Sequence, residues 1–196
     1  MKLYYTPGGC SLVPHIIARE ADLDIELIKV DVKTHRVEDG TDYFRITKLG
    51  LVPLLILDDE SRLSEVQVVA QYLADQRPQS ELAPLEGTFT RYQHQQWLSF
   101  ISTEIHKSFR PLIRSSDTAT ISETKDRLMN RLGYISDMLK SDYLMGETFS
   151  AADAYLFVTL LWAKHLQLSI PSKLEVFFER IAARPAVQTA LSVEGL

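Results

Sequence analysis

One cysteine, Cys10, stands in a chain of 196 residues. No internal disulfide can form, so the chain is not a disulfide-stapled scaffold, and a reducing compartment, the cytoplasm, is expected. One thiol among scattered histidines makes no zinc site either. His15, His35, His94 and His165 fall at no ligand spacing, and no metal is expected. Positive charge is also short: 21 Lys and Arg stand against 26 Asp and Glu, a net charge of −5. A nucleic-acid partner, which wants a basic face, is therefore not expected. A small anionic ligand stays open, because a net charge hides a local cationic pocket. Long apolar runs are missing too. The most apolar helical stretch, from Ala154 through Leu160 to Ala163, is about half of what spans a bilayer and reads as a core helix. The opening Met1-Lys2-Leu3-Tyr4-Tyr5 passes directly into a strand pattern without a leader-like apolar region, so no membrane contact is expected. Internal repeats and low-complexity segments are absent.

What is present suffices for a core: 45% of residues are hydrophobic and 24% charged. The first eighty residues alternate in type. Residues 2–5 read as a strand, 11–21 as an amphipathic helix, 25–30 as a second strand, 43–46 as a short helical turn, 54–57 as a buried strand, 62–63 as a short strand and 65–76 as a helix. Pro78 ends that helix, and residues 79–87, with Pro84 and Gly87, read as a linker. Beyond it only helical periodicity remains. Phe89, Tyr92, Trp97, Phe100, Ile101, Ile105 and Phe109 mark one long helix; 123–140 and 174–183 mark others. Ser150-Ala151-Ala152-Asp153 opens a further one as a capping box, with Asp in the usual place of Glu. The expected organisation is an α/β domain over residues 1–78 and an all-helical domain over 88–196.

Three places carry chemistry. Cys10 follows Thr6-Pro7-Gly8-Gly9 and precedes the first helix. A helix N-terminus presents roughly half a positive charge, which favours thiolate over thiol; the alternative is a buried cysteine serving as a small hydrophobe. Leu51-Val52-Pro53-Leu54 precedes the buried strand, where proline belongs at a strand start. A trans proline marks a boundary there, whereas a cis one turns the Val52 backbone outward to pair with an extended peptide. Ser64-Glu65 opens the next helix, either as a cap with Ser64 at the N-cap or as a carboxylate site with Glu65 meeting a ligand ammonium. In the second half Ser99, Thr103, His106 and Arg110 recur at steps of four, three and four, a polar stripe that faces water or a cleft. In a cleft shared with Cys10, His106 would hydrogen-bond the thiol or its adduct.

Taken together these residues resemble the bacterial glutathione transferases, most closely the beta class. The marks run the length of the chain: Lys2-Leu3-Tyr4-Tyr5-Thr6-Pro7-Gly8-Gly9-Cys10-Ser11-Leu12, Gly50-Leu51-Val52-Pro53-Leu54, Leu63-Ser64-Glu65, Gln71-Tyr72-Leu73-Ala74-Asp75, Thr103-Glu104-Ile105-His106-Lys107-Ser108-Phe109, Phe149-Ser150-Ala151-Ala152-Asp153-Ala154-Tyr155 and Arg184-Pro185-Ala186-Val187. The resemblance implies a thioredoxin-like N-terminal domain, an all-α C-terminal domain, a homodimer and a cis Val52-Pro53 bond. It implies glutathione as co-substrate, joined to a hydrophobic electrophile in a detoxifying conjugation, with thiol–disulfide exchange through Cys10 as a further activity. Cys10 and His106 would be catalytic. Val52, Pro53, Ser64, Glu65, Val66, Ser99, Lys107 and His35 would hold glutathione, and Thr6, Pro7, Ser102 and Arg110 would border the electrophile. Some positions depart from the family pattern. Val66 replaces a Ser or Gly, Thr47-Lys48-Leu49-Gly50-Leu51 replaces Asn-Pro-x-Gly-Gln, Ser99 replaces Asn and His35 replaces Lys. A hydroxyl donor to a carboxylate is worth about 1.5–3 kcal/mol, tenfold or more in affinity. These departures motivate a second reading, a binding or scaffold protein on the same fold.

Overall fold

The computed structural model describes residues 1–196, which divide into two compact units, Met1–Leu82 with Arg184–Leu196 and Ala83–Ala183. The division falls inside the stretch read as a linker. The last helix, however, belongs with the first unit and not with the helical one, a departure from the expected 88–196 boundary.

In the first unit β1 (Lys2–Tyr5), β2 (Glu26–Asp31), β3 (Arg36–Val37), β4 (Leu54–Ile56) and β5 (Arg62–Ser64) form one sheet in the order β3-β2-β1-β4-β5. Only β1 and β2 run parallel, and they are joined by α1 (Leu12–Glu20), as a parallel crossover requires. The pairs β1–β4, β4–β5 and β2–β3 are antiparallel. The short strand β3 had no alternating signature, because two residues carry no period. One sheet face holds a cluster of Tyr4, Val30, Val37, Tyr43, Leu54 and Ile56, closed by the single helical turn Tyr43–Arg45. Leu3 and Leu55, cross-strand partners that alternate to the other face, are fully buried. Strands covered on both faces read as continuous apolar runs, as 54–57 did. In α1 the residues Leu12, Val13, Ile16 and Ile17 are completely buried, and α1 packs against α2 (Val66–Asp75) and α8 (Pro185–Glu194).

The reason α8 returns is chemical as well as apolar. Glu194 is buried, with Oε1 2.8 Å from Nδ1 of the fully buried His15, and Oε2 accepts from Gly8 N–H at 2.9 Å. At the other end of α8, Arg184 makes a two-pronged bond to Glu20 at 2.6 and 2.8 Å.

In the second unit α3 (Phe89–Phe100), one π-helical segment (Ile101–His106) and α4 (Lys107–Arg114) follow without a break. Then come α5 (Thr118–Met138), α6 (Ala151–His165) and α7 (Ser172–Ala182). The first ten residues of α6 are all buried, so this helix is the axis of the unit, packed by α3, α7 and the π segment. Its start is the expected box. The Ser150 N–H and Oγ–H donate to Asp153 Oδ2 at 2.8 and 2.7 Å, and Leu144 N–H donates to Oδ1 at 2.8 Å. No helix is long and apolar enough to cross a membrane.

Candidate active site

In the first unit the turn from Thr6 to Cys10 is held by local bonds. Gly9 N–H donates to the Thr6 carbonyl (2.9 Å), Thr6 N–H donates to Ser11 Oγ (3.0 Å), and Thr6 Oγ1 donates to the Val30 carbonyl (2.6 Å). Gly8 takes φ +66, and a Cβ at Gly9 would lie 3.0 Å from the Thr6 carbonyl oxygen, so both positions suit glycine. The Val52-Pro53 bond is cis. The Cys10 thiol donates to the Val52 carbonyl oxygen at 3.3 Å, while Val52 N–H donates to no protein group. The turn and the proline loop thus meet at one point. Pro53 is buried and Val52 half-buried there, and Tyr43 OH anchors the loop by donating to the Leu51 carbonyl (3.0 Å).

Of the two readings of Cys10, thiolate or buried thiol, its surroundings favour the protonated thiol. Burial pushes its thiol up to about 12, and the Glu65 carboxylate pushes the same way; the Cys10 and Ser11 backbone N–H groups pull down less. The helix N-terminus does act, but Cys10 stands two residues before Leu12, and desolvation wins.

The start of α2 corrects a second expectation. Ser64 is the last residue of β5, not the cap; Glu65 occupies the N-cap and makes no side-chain capping bond. Glu65 holds φ 68 and ψ 121, a conformation a non-glycine residue rarely takes. Its exposed carboxylate faces outward, and Val66 turns its side chain into the core. The helix end therefore offers main-chain N–H groups but no hydroxyl. His35, also at positive φ (52), packs its ring 4.3 Å from Phe44, and its buried Nδ1 has no hydrogen-bond partner.

In the second unit the π segment breaks the register on which the four-residue stripe rested. Ser99, Thr103 and Arg110 are exposed and Ser102 is half-buried, whereas His106 turns inward. A π turn adds one residue to a helical turn, so side chains beyond it rotate away from the face that α spacing assigns. His106 Nδ1 lies 2.6 Å from Tyr155 Oη. The imidazole meets Trp162 edge-on at 4.9 Å, and Trp162 meets Phe109 at 5.3 Å. Burial first, and Lys107 second, lower the His106 pKa to about 4, so the ring is neutral at physiological pH. Lys107 itself opens α4 and is exposed. The structure therefore brings Cys10, Val52 and Pro53 together in the first unit, and it seats His106 in an aromatic corner of the second. Glu194, Tyr155 and Trp162 escaped the sequence reading. Glu194 meets its partners only across about 180 residues of chain, and Tyr155 and Trp162 were absorbed into the apolar run of α6.

The match to known proteins agrees with this geometry. A family model, Glutathione S-transferase, C-terminal domain, matches residues 96–185. Glutathione S-transferase GstA of Escherichia coli O157:H7 is 42% identical over the full length of both chains. Among solved structures, a bacterial GST called BphK in ternary complex superposes with a TM-score of 0.97 at 45% identity, covering all of both chains. A sphingomonad glutathione S-transferase complexed with glutathione superposes at 0.95 with 38% identity over the same full span. The cis-proline loop against the cysteine turn, the strained glutamate opening α2 and relatives of this identity along the whole length place this chain in the glutathione S-transferase family.

Proposed function

We infer that the chain binds glutathione and transfers its sulfur to small hydrophobic electrophiles, a detoxifying conjugation. The observation that carries this reading is the Val52 backbone. A cis bond follows it, its carbonyl accepts from Cys10, and its N–H stands ready for an extended peptide. The cysteinyl part of glutathione pairs with Val52 beside Pro53. Its γ-glutamyl carboxylate takes the free N–H groups at Val66 and Gln67, and its ammonium meets Ser64 and Glu65. His35, Ser99 and Lys107 complete the polar contacts, and Thr6, Pro7, Ser102 and Arg110 border the electrophile. In the reaction a carbon–sulfur bond forms, the halide or equivalent leaves with its electron pair, and the thiol proton goes to solvent. A Cys10 held as thiol is a donor that stabilises the glutathione thiolate, not the attacking atom, and a neutral His106 is a second donor. One free thiol with glutathione as its partner fits a reducing cytoplasm. Phe89 and Tyr92, 77% and 63% exposed and one turn apart on α3, with Leu85, 69% exposed, in the segment before it, support a second copy of the chain as partner.

Calorimetric titration with millimolar glutathione is expected to give a saturating heat; none would favour the scaffold reading. Cys10→Ala is expected to keep aryl-halide conjugation within about tenfold of the parent, the scale of one lost hydrogen bond, and to lose mixed-disulfide reduction. Loss of both would make the Cys10 sulfur a nucleophile in conjugation as well.

A further inference from the structure

His106 is held on two sides. Tyr155 and Trp162 both come from α6, whose residues around Tyr155 are buried on every face. The imidazole meets the Tyr155 ring at 5.8 Å and 81° and the Trp162 ring at 4.9 Å and 63°. Phe109 backs Trp162 at 5.3 Å. Rotation of the imidazole would break the 2.6 Å contact between Nδ1 and the tyrosine oxygen. Two neutral groups that close must share one proton between them, and acid–base strength decides where it lies. A phenol is ordinarily an acid of pKa about 10, whereas a neutral imidazole gives up its N–H far less readily; an imidazole nitrogen, with a conjugate-acid pKa of about 6.5, is also the better base. The phenol therefore donates and Nδ1 accepts.

We propose that Tyr155 is a positioning residue for His106: its hydroxyl donates to Nδ1, fixes the ring proton on Nε2 and so makes Nε2–H a preset donor toward an anionic sulfur. The proposal rests on the role given to His106 under Proposed function. Without the hydroxyl, the two neutral tautomers mix, and one of them turns a lone pair toward the developing charge. The ring that meets Tyr155 is the last residue of the π segment, where one added residue offsets it from the face that Ser99 occupies. A low-pKa imidazole suits this task, because a donor that stays neutral through physiological pH does not change its proton count as the reaction proceeds.

The test begins with the unaltered protein. In ¹⁵N-labelled enzyme near neutral pH, His106 is expected to show Nδ1 unprotonated and Nε2 protonated; the reverse assignment overturns the proposal with no variant needed. Tyr155→Phe keeps the ring packing and removes only the hydroxyl. It is expected to mix the tautomers and to lower kcat for aryl-halide conjugation about tenfold, with KM for glutathione unchanged. The same substitution in a His106→Ala background is expected to cost nothing further; an undiminished loss there overturns the proposal, because Tyr155 would then act without His106. If His106→Ala alone leaves kcat intact, the assigned role of His106 fails, and the tautomer measurement separately decides whether Tyr155 sets the ring. If Tyr155→Phe does not fold, the spectrum of the parent enzyme remains decisive.

Discussion

Cys10 shows how desolvation and a helix end compete at one sulfur. The amides that open α1 act on the sulfur through two backbone bonds, yet burial dominates and Glu65 adds to it, holding the thiol up to about 12. The sign for stability follows. The native state keeps its proton where an unfolded cysteine, with a reference value of 9.0, begins to lose it. This group therefore leaves stability untouched below about pH 9 and erodes it as pH rises through about 12. The thiolate ultraviolet absorbance of the free enzyme is expected to stay flat through neutral pH. Glu65→Gln, by removing one upward influence, is expected to bring its onset to lower pH in the same measurement. The local positions were legible in the sequence: the turn stands before the first helix and the Val52-Pro53 pair before the buried strand, whereas the cap read at Ser64 is Glu65. The balance at the Cys10 sulfur was not, because a short motif records the nearby helix end but neither the desolvation of the sulfur nor the Glu65 carboxylate near it. The inward turn of Val66 was likewise invisible until the backbone of Glu65 was known.

Two elements divide over the same question. The start of α6 was readable, since Ser150 and Asp153 carry their bonding capacity at a fixed spacing. Asp153 is completely buried with no cation bonded to it, and burial lifts it to about 6 despite the N–H groups of Leu144 and Ser150. Folded, it takes a proton below pH 6; unfolded, only near 3.8. This carboxyl thus costs stability at neutral pH, and the cost is relieved as pH falls. In urea unfolding, the stability of the parent relative to Asp153→Asn, which does not titrate, is expected to rise between about pH 7 and pH 4, by at most about 3 kcal/mol. Asp153→Ala is expected to lose about 3 kcal/mol or more at neutral pH, because buried N–H groups are left without acceptors. The π segment is the opposite case. Apolar residues still recur at three and four across 101–106, so periodicity gave no sign of the added residue. It shifts His106 relative to Ser99, which lies before it.

At the scale of the molecule, the change from α/β to all-helical composition was plain, and the boundary between the two units falls within the expected linker. The proposed second copy is tested on α3. Phe89→Asp with Tyr92→Asp is expected to shift sedimentation from twice the chain mass to once while helical content holds; an unchanged dimer would move the interface elsewhere. The return of α8 was illegible, because its ties to His15, Gly8 and Glu20 join positions more than 160 residues apart and no local pattern records them. That return has a consequence for biosynthesis. During translation the whole helical unit emerges while the sheet-bearing unit still waits for its closing segment, so the cysteine loop acquires its buried glutamate only after Ala83–Ala183 has been made. The order of assembly is thereby inverted between the two units: the sheet-bearing one begins before the helical one and is completed after it.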